Sequence, residues 1–144
     1  MMEDLLPVLN LIFDFGCLVL IALVQGVIYP SFTFYNKEAL FRWHRKYVER
    51  VSAVVIPLMG GQLLLSLSIY YFRYQPFYLV KLLLVLLVWL LTFTIFVPLH
   101  NRISKENHSE KVSMITEDLV KKNWYRTVLW ILIFILQVSL FFFG

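Results

Sequence analysis

Four long apolar runs, Leu5 to Ile28, Val51 to Phe72, Phe77 to Leu99 and Val128 to Phe143, alternate with polar stretches along the chain, and Trp124 and Tyr125 extend the last run at its front edge. Each run approaches or exceeds the roughly 20 residues a helix needs to cross about 30 Å of hydrocarbon. Only Arg73, Tyr74, Gln75 and Pro76 separate the second run from the third, which forces a tight hairpin. The pattern predicts an all-α fold: a polytopic membrane protein whose four transmembrane helices form one bundle, with helices at about 5–28, 51–72, 77–99 and 124–143. The longest polar stretch leaves no room for a soluble domain, so residues 1–144 read as a single membrane domain with connections at 31–50 and 101–123.

Within the connections a helical period continues. Leu40, Tyr47 and Val51 recur at helical spacing while Arg42, Arg45, Lys46 and Glu49 take the other side, and His44 falls on the apolar stripe. Val112, Ile115 and Leu119 make a second stripe that runs on into the fourth span. Both connections are expected to be amphipathic lead-in helices against the membrane surface. A faint internal repeat accompanies them: Tyr29-Pro30 and Val97-Pro98 end the first and third spans, and Arg50 and Arg126 open the second and fourth.

Charge then orients the bundle. Of the 13 Lys and Arg residues, all but Arg73 and Lys81 lie between Lys37 and Arg50 or between Arg102 and Arg126. Short loops rich in Lys and Arg stay cytoplasmic, so both basic connections are expected inside and both termini outside, in the plasma (inner) membrane. Composition agrees, with 60% apolar residues and only 15% charged. The net charge of +4 suits anionic lipid rather than nucleic acid. The expected partners are the lipid bilayer and a lipophilic small molecule; a homo-oligomer stays open, since four helices can close a bundle without a second copy. A single cysteine, Cys17, excludes an intrachain disulfide or a paired-thiol redox centre.

Polar side chains inside the spans each ask for a partner or a task. At 1.5 Å per residue, Asp14, Gln62 and Gln137 fall about 13, 15 and 10 Å from the outer ends of their helices, so three helices bring a polar group to one depth. Interhelical packing is the plainer role for these three, and a polar path for a transport or channel subunit is the other. Asp14 could pair with Lys81, but Lys81 is shallow enough to snorkel to the headgroups. On the second span, Pro57 with Gly60 and Gly61 predicts a kink or a close helix crossing.

The cytoplasmic mouth is denser. Gln25, Tyr29, His44, Tyr47, Arg50, His100, Asn101, Arg126 and Trp130 all project near the inner surface. An imidazole exchanges protons near neutral pH, and a guanidinium holds an anion in a fixed fork. We therefore take His44, His100, Arg50 and Arg126 as candidate catalytic residues, for proton abstraction with anion stabilisation. Gln25, Tyr29, Tyr47, Asn101 and Trp130 are the candidate substrate-binding residues. No cofactor is expected; haem or a metal between His44 and His100 is the one alternative, and two histidines fall short of the usual ligand sets.

The order and spacing of Tyr29-Pro30, Trp43, Tyr47, Arg50, Pro57-Leu58, Pro98, Arg102, Trp124 and Arg126-Thr127 resemble the anthrone oxygenase-like family of small four-helix membrane proteins, and equally a set of uncharacterised bacterial membrane proteins of that layout. The resemblance covers about residues 25 to 130. It implies a cofactor-independent oxygenase-like enzyme acting on a hydrophobic, phenolic or polycyclic substrate that enters from the membrane. By position it carries over to Trp43, Tyr47, Arg50, Pro98, Arg102, Arg126 and Thr127. The chain departs where the family often has Pro-Thr-Asn, since Leu99 and His100 follow Pro98 here. A transport or channel subunit and a structural subunit of a membrane complex are the competing readings.

Overall fold

The computed structural model describes residues 2–106 and 108–143, with side chains from residue 5 onward. Four helical rods fill it: α1 (Leu5–Phe34), α2 (Lys37–Arg73), α3 (Pro76–Lys105) and α4 (Ser109–Phe143). All four are long and apolar enough to cross a membrane, and among the described residues there is no strand. Large apolar side chains stay exposed around the rods, among them Val27, Ile56, Leu64, Leu83 and Phe93. A belt of that extent is compatible with a multi-pass membrane protein and unlike a soluble surface.

Local chemistry sets the rod ends. Asn36 caps α2 by accepting the Ala39 amide at 2.9 Å. At the other end Tyr74 adopts the left-handed conformation, φ 38° and ψ 49°, and its amide donates to the Tyr70 carbonyl at 2.8 Å. Pro76 then opens α3 at a position where its missing N–H costs nothing.

The stretches 37–50 and 109–123 are not separate helices. Each is the first part of a continuous rod, because no glycine or proline interrupts the chain where it meets the apolar run. At 37 residues α2 is about 55 Å long, well beyond the roughly 30 Å of a hydrocarbon core. The basic end of the bundle therefore extends the same helical framework past the apolar belt.

Two rods carry a widened turn. In α1 a π-helical turn spans Val24–Ile28, and in α3 another spans Thr92–Phe96. The Tyr29 amide reaches back to the Val24 carbonyl and the Val97 amide to that of Thr92, five residues instead of four. Pro30 and Pro98 follow immediately. A proline ring clashes with the carbonyl four residues before it, and one extra residue in the turn moves that carbonyl aside. The repeated aromatic-or-branched residue plus proline in the sequence is thus a repeated backbone device.

Packing follows the helical stripes. On α1 Asn10, Asp14, Cys17, Ile21, Gln25 and Tyr29 are buried, and on α4 Asn123, Arg126, Trp130, Ile133 and Gln137 are. Gly61 lets α1 and α2 approach, since a Cβ there would overlap the Phe13 ring, whereas Gly60 faces open space. Gly16 lies opposite Leu58 on the same crossing.

Candidate functional site

The half of the bundle away from the basic stretches holds a closed polar knot. Lys81 is fully buried, and its ammonium faces three oxygens at 2.7 Å: Asp14 Oδ2, Asn10 Oδ1 and Gln137 Oε1. An ammonium has three hydrogens, so this set satisfies it. Gln62 Nε2 donates to Asp14 Oδ1 at 2.8 Å, and the Trp130 indole donates to Gln62 Oε1 at 3.2 Å. Gln137 also donates to the Pro7 carbonyl, and Asn10 to those of Leu6 and Leu65. Four rods are tied at one level, with Lys81 at the centre rather than snorkelled to the surface.

Toward the basic end a second cluster is arranged differently. Arg126 on α4 is buried, 7% exposed, and among the described residues no carboxylate pairs with it. Its Nε and Nη2 donate to Asn123 Oδ1 at 3.0 and 2.6 Å, and Nη2 also donates to Tyr29 Oη at 3.2 Å. Nη1 reaches only Thr92 Oγ1, at 3.5 Å, which leaves one of the five guanidinium hydrogens without a protein acceptor. The Phe96 ring lies 3.6 Å from the guanidinium carbon, so a cation–π contact supplies part of the missing compensation.

Beside Arg126 the aromatic groups form a row. Tyr29 Oη and His100 Nε2 are 2.9 Å apart, His100 Nδ1 and His44 Nε2 are 2.8 Å apart, and Ser104 Oγ lies 3.3 Å from His44 Nδ1. The two imidazoles stack at 5.0 Å. Phe32 turns its ring against His44 at 5.8 Å and against Tyr47 at 5.2 Å, both edge to face. The widened turns set this up: Tyr29 follows the one in α1, while Thr92 and Phe96 bound the one in α3, four residues ahead of His100.

A cavity of about 150 Å³ opens beside this row. Tyr29, Tyr47, His100, Arg126 and Trp130 form its polar wall, and Ile21, Val24, Val51, Val55 and Phe96 its apolar one. Val97 and Asn101, both exposed, stand at its rim on α3. A space of this size accommodates roughly one benzene ring. A haem is far larger, and the two nitrogens that would face an iron between His44 and His100 instead touch each other.

Of the sequence candidates, His44, His100, Arg126, Tyr29, Tyr47 and Trp130 come together here. Asn101 lines the rim. Gln25 does not reach the cavity; it accepts from Asn123 Nδ2 at 2.9 Å and from Thr127 at 3.3 Å, which steadies the Asn123 carbonyl oxygen under Arg126. Arg50 is exposed and stands apart from the cluster. Asp14, Gln62 and Gln137 gather in the first polar knot, joined through Lys81.

Sequence reasoning missed Asn10 and Ser104, and left Lys81 open between a pair with Asp14 and the headgroups. A signal existed for the first two: Asn10 is four residues before Asp14 and Ser104 four after His100, each on the same helix face.

Comparison with protein-family models, curated proteins and solved structures gives no match.

Proposed function

We propose that this chain is a small membrane-embedded enzyme-like protein that binds a lipophilic, weakly acidic ligand, a phenol by preference, and takes its proton. In this reading the bundle spans the plasma (inner) membrane four times, with the basic end cytoplasmic and both termini outside. The ligand enters from the apolar flank past Val97, and its oxygen meets Arg126 and Tyr29. Arg126 holds the resulting anion, and Tyr29, hydrogen-bonded to His100, receives the proton.

One observation carries the reading: a buried guanidinium with a spare hydrogen and, among the described residues, no counter-charge lines a ring-sized cavity. Burying an uncompensated charge costs several kcal/mol, so an anion in the cavity gives the arrangement a purpose that packing does not. The resemblance to anthrone oxygenase-like proteins supports a phenolic ligand. At about 150 Å³ the cavity takes one ring, so a polycyclic ligand has to extend through the rim into lipid.

A transport path through Asp14, Gln62 and Gln137 is the weaker reading. Trp130 stands between the outer knot and Arg126, and an indole donates a hydrogen but accepts none. It interrupts any proton path along the bundle axis.

The test uses detergent-solubilised protein and tryptophan quenching by 4-nitrophenol and by 4-nitroanisole, its O-methyl ether. Tighter binding of the phenol by at least about tenfold is expected, the worth of one charge-assisted hydrogen bond. Arg126→Leu abolishes the difference. Equal affinities in the wild type, or a preference that survives Arg126→Leu, contradict the proposal.

A further inference from the structure

Resting on the cavity reading, we infer that Tyr29, His100, His44 and Ser104 form a proton relay that carries the ligand's proton from the cavity to the exposed basic end of the bundle. The direction follows from hydrogen-bond bookkeeping at Ser104. Its hydroxyl lies 3.2 Å from the His100 carbonyl and 3.3 Å from His44 Nδ1. A carbonyl only accepts, so giving the single Ser104 hydrogen to it, the shorter of the two contacts, makes His44 Nδ1 the donor to Ser104 Oγ. His44 Nε2 is then a bare lone pair that accepts from His100 Nδ1 at 2.8 Å. His100 Nε2 in turn accepts from the Tyr29 hydroxyl at 2.9 Å, whose oxygen is held by Arg126 at 3.2 Å. The Tyr29, His100 and His44 hydrogens then each point one step away from the cavity.

The transfer is balanced hop by hop. The ligand O–H bond breaks and its proton joins Tyr29 Oη as the Tyr29 proton passes to His100 Nε2. The His100 Nδ1 proton moves to His44 Nε2, that on His44 Nδ1 moves to Ser104 Oγ, and Ser104 gives one proton to water. The ligand is left as an anion on Arg126. His44 and Ser104 touch neither the cavity nor the ligand, so they are relay residues that act through His100. Tyr29 and His44 are buried, His100 is half-buried and Ser104 is exposed, so the row leads from the interior to water. The relay gives a role to His44, an imidazole that does not line the cavity.

Two readouts test it. Nitrogen-15 NMR of histidine-labelled wild-type protein should find both His44 and His100 protonated on Nδ1 and bare on Nε2, and hydrogen on Nε2 of either ring would overturn the direction. Stopped-flow mixing with 4-nitrophenol, read by a pH indicator, should show proton release slowed at least tenfold by Ser104→Ala, with the dissociation constant changed less than twofold. Release at the wild-type rate in that variant, with binding intact, overturns the relay and leaves the cavity reading standing. No binding of 4-nitrophenol by the wild type overturns the cavity reading, and the relay with it as the exit for a ligand's proton.

Discussion

The guanidinium carbon of Arg126 lies 3.6 Å from the centre of the Phe96 ring, in place of the carboxylate that a buried cation ordinarily finds. The contrast with Lys81 is instructive. Both cations are buried in one bundle, yet Lys81 has Asp14 and two amide oxygens around it while Arg126 has amide, hydroxyl and ring. One cation is structurally complete and the other has capacity to spare.

Opposite effects on stability follow from the same kind of exchange. Lys81→Met leaves Asp14 as an unpaired buried carboxylate, a loss of about 3–5 kcal/mol. Asp14→Leu with Lys81→Met should recover only part of it, because the unpaired charge is gone but Asn10 Oδ1, Gln137 Oε1 and Gln62 Nε2 lose their partners. Thermal unfolding in detergent measures both.

Arg126→Leu removes an uncompensated buried charge but takes both donors from Asn123 Oδ1, a cost of about 1–3 kcal/mol. The melting temperature should stay near or above that of the wild type while 4-nitrophenol binding falls. A large drop in melting temperature would assign Arg126 to the framework instead.

Gly60 and Gly61 should behave differently despite being neighbours. Gly61→Ala drives a methyl into the Phe13 ring and should cost about 1–3 kcal/mol, relieved by Phe13→Leu. Gly60→Ala meets nothing and should gain up to about 1 kcal/mol from helix propensity. Thermal unfolding of the three variants decides.

How legible was this in the sequence? The four rods were, because their apolar runs are long, and so were the inward faces of α1 and α4, because Asp14, Ile21, Gln25 and Arg126, Trp130, Gln137 keep helical spacing. Less legible was anything that depends on how two rods are rotated against each other. Arg50 opens the second span much as Arg126 opens the fourth, yet one is exposed and the other buried, and only packing distinguishes them. Lys81 stayed open between Asp14 and the headgroups for the same reason: depth along the helix allows snorkelling, while its rotation aims it at Asp14. The widened turns were hidden too, since a proline announces a disturbed helix but not whether the chain bends, stops or takes in an extra residue.

Trp130 should act as the barrier between the two polar clusters. In proteoliposomes carrying a pH gradient, the wild type is expected to leak no faster than empty vesicles, and Trp130→His, which introduces a ring that both donates and accepts, should leak faster. A leaky wild type would favour the transport reading.

The most direct measurement is the visible absorbance of 4-nitrophenol bound to the wild-type protein, about one pH unit below the point where the free probe ionises, because only the ionised form absorbs there. The account predicts that the bound probe is mostly anion, and mostly neutral in Arg126→Leu. A bound probe that stays neutral in the wild type, or ionises equally in both proteins, would contradict it.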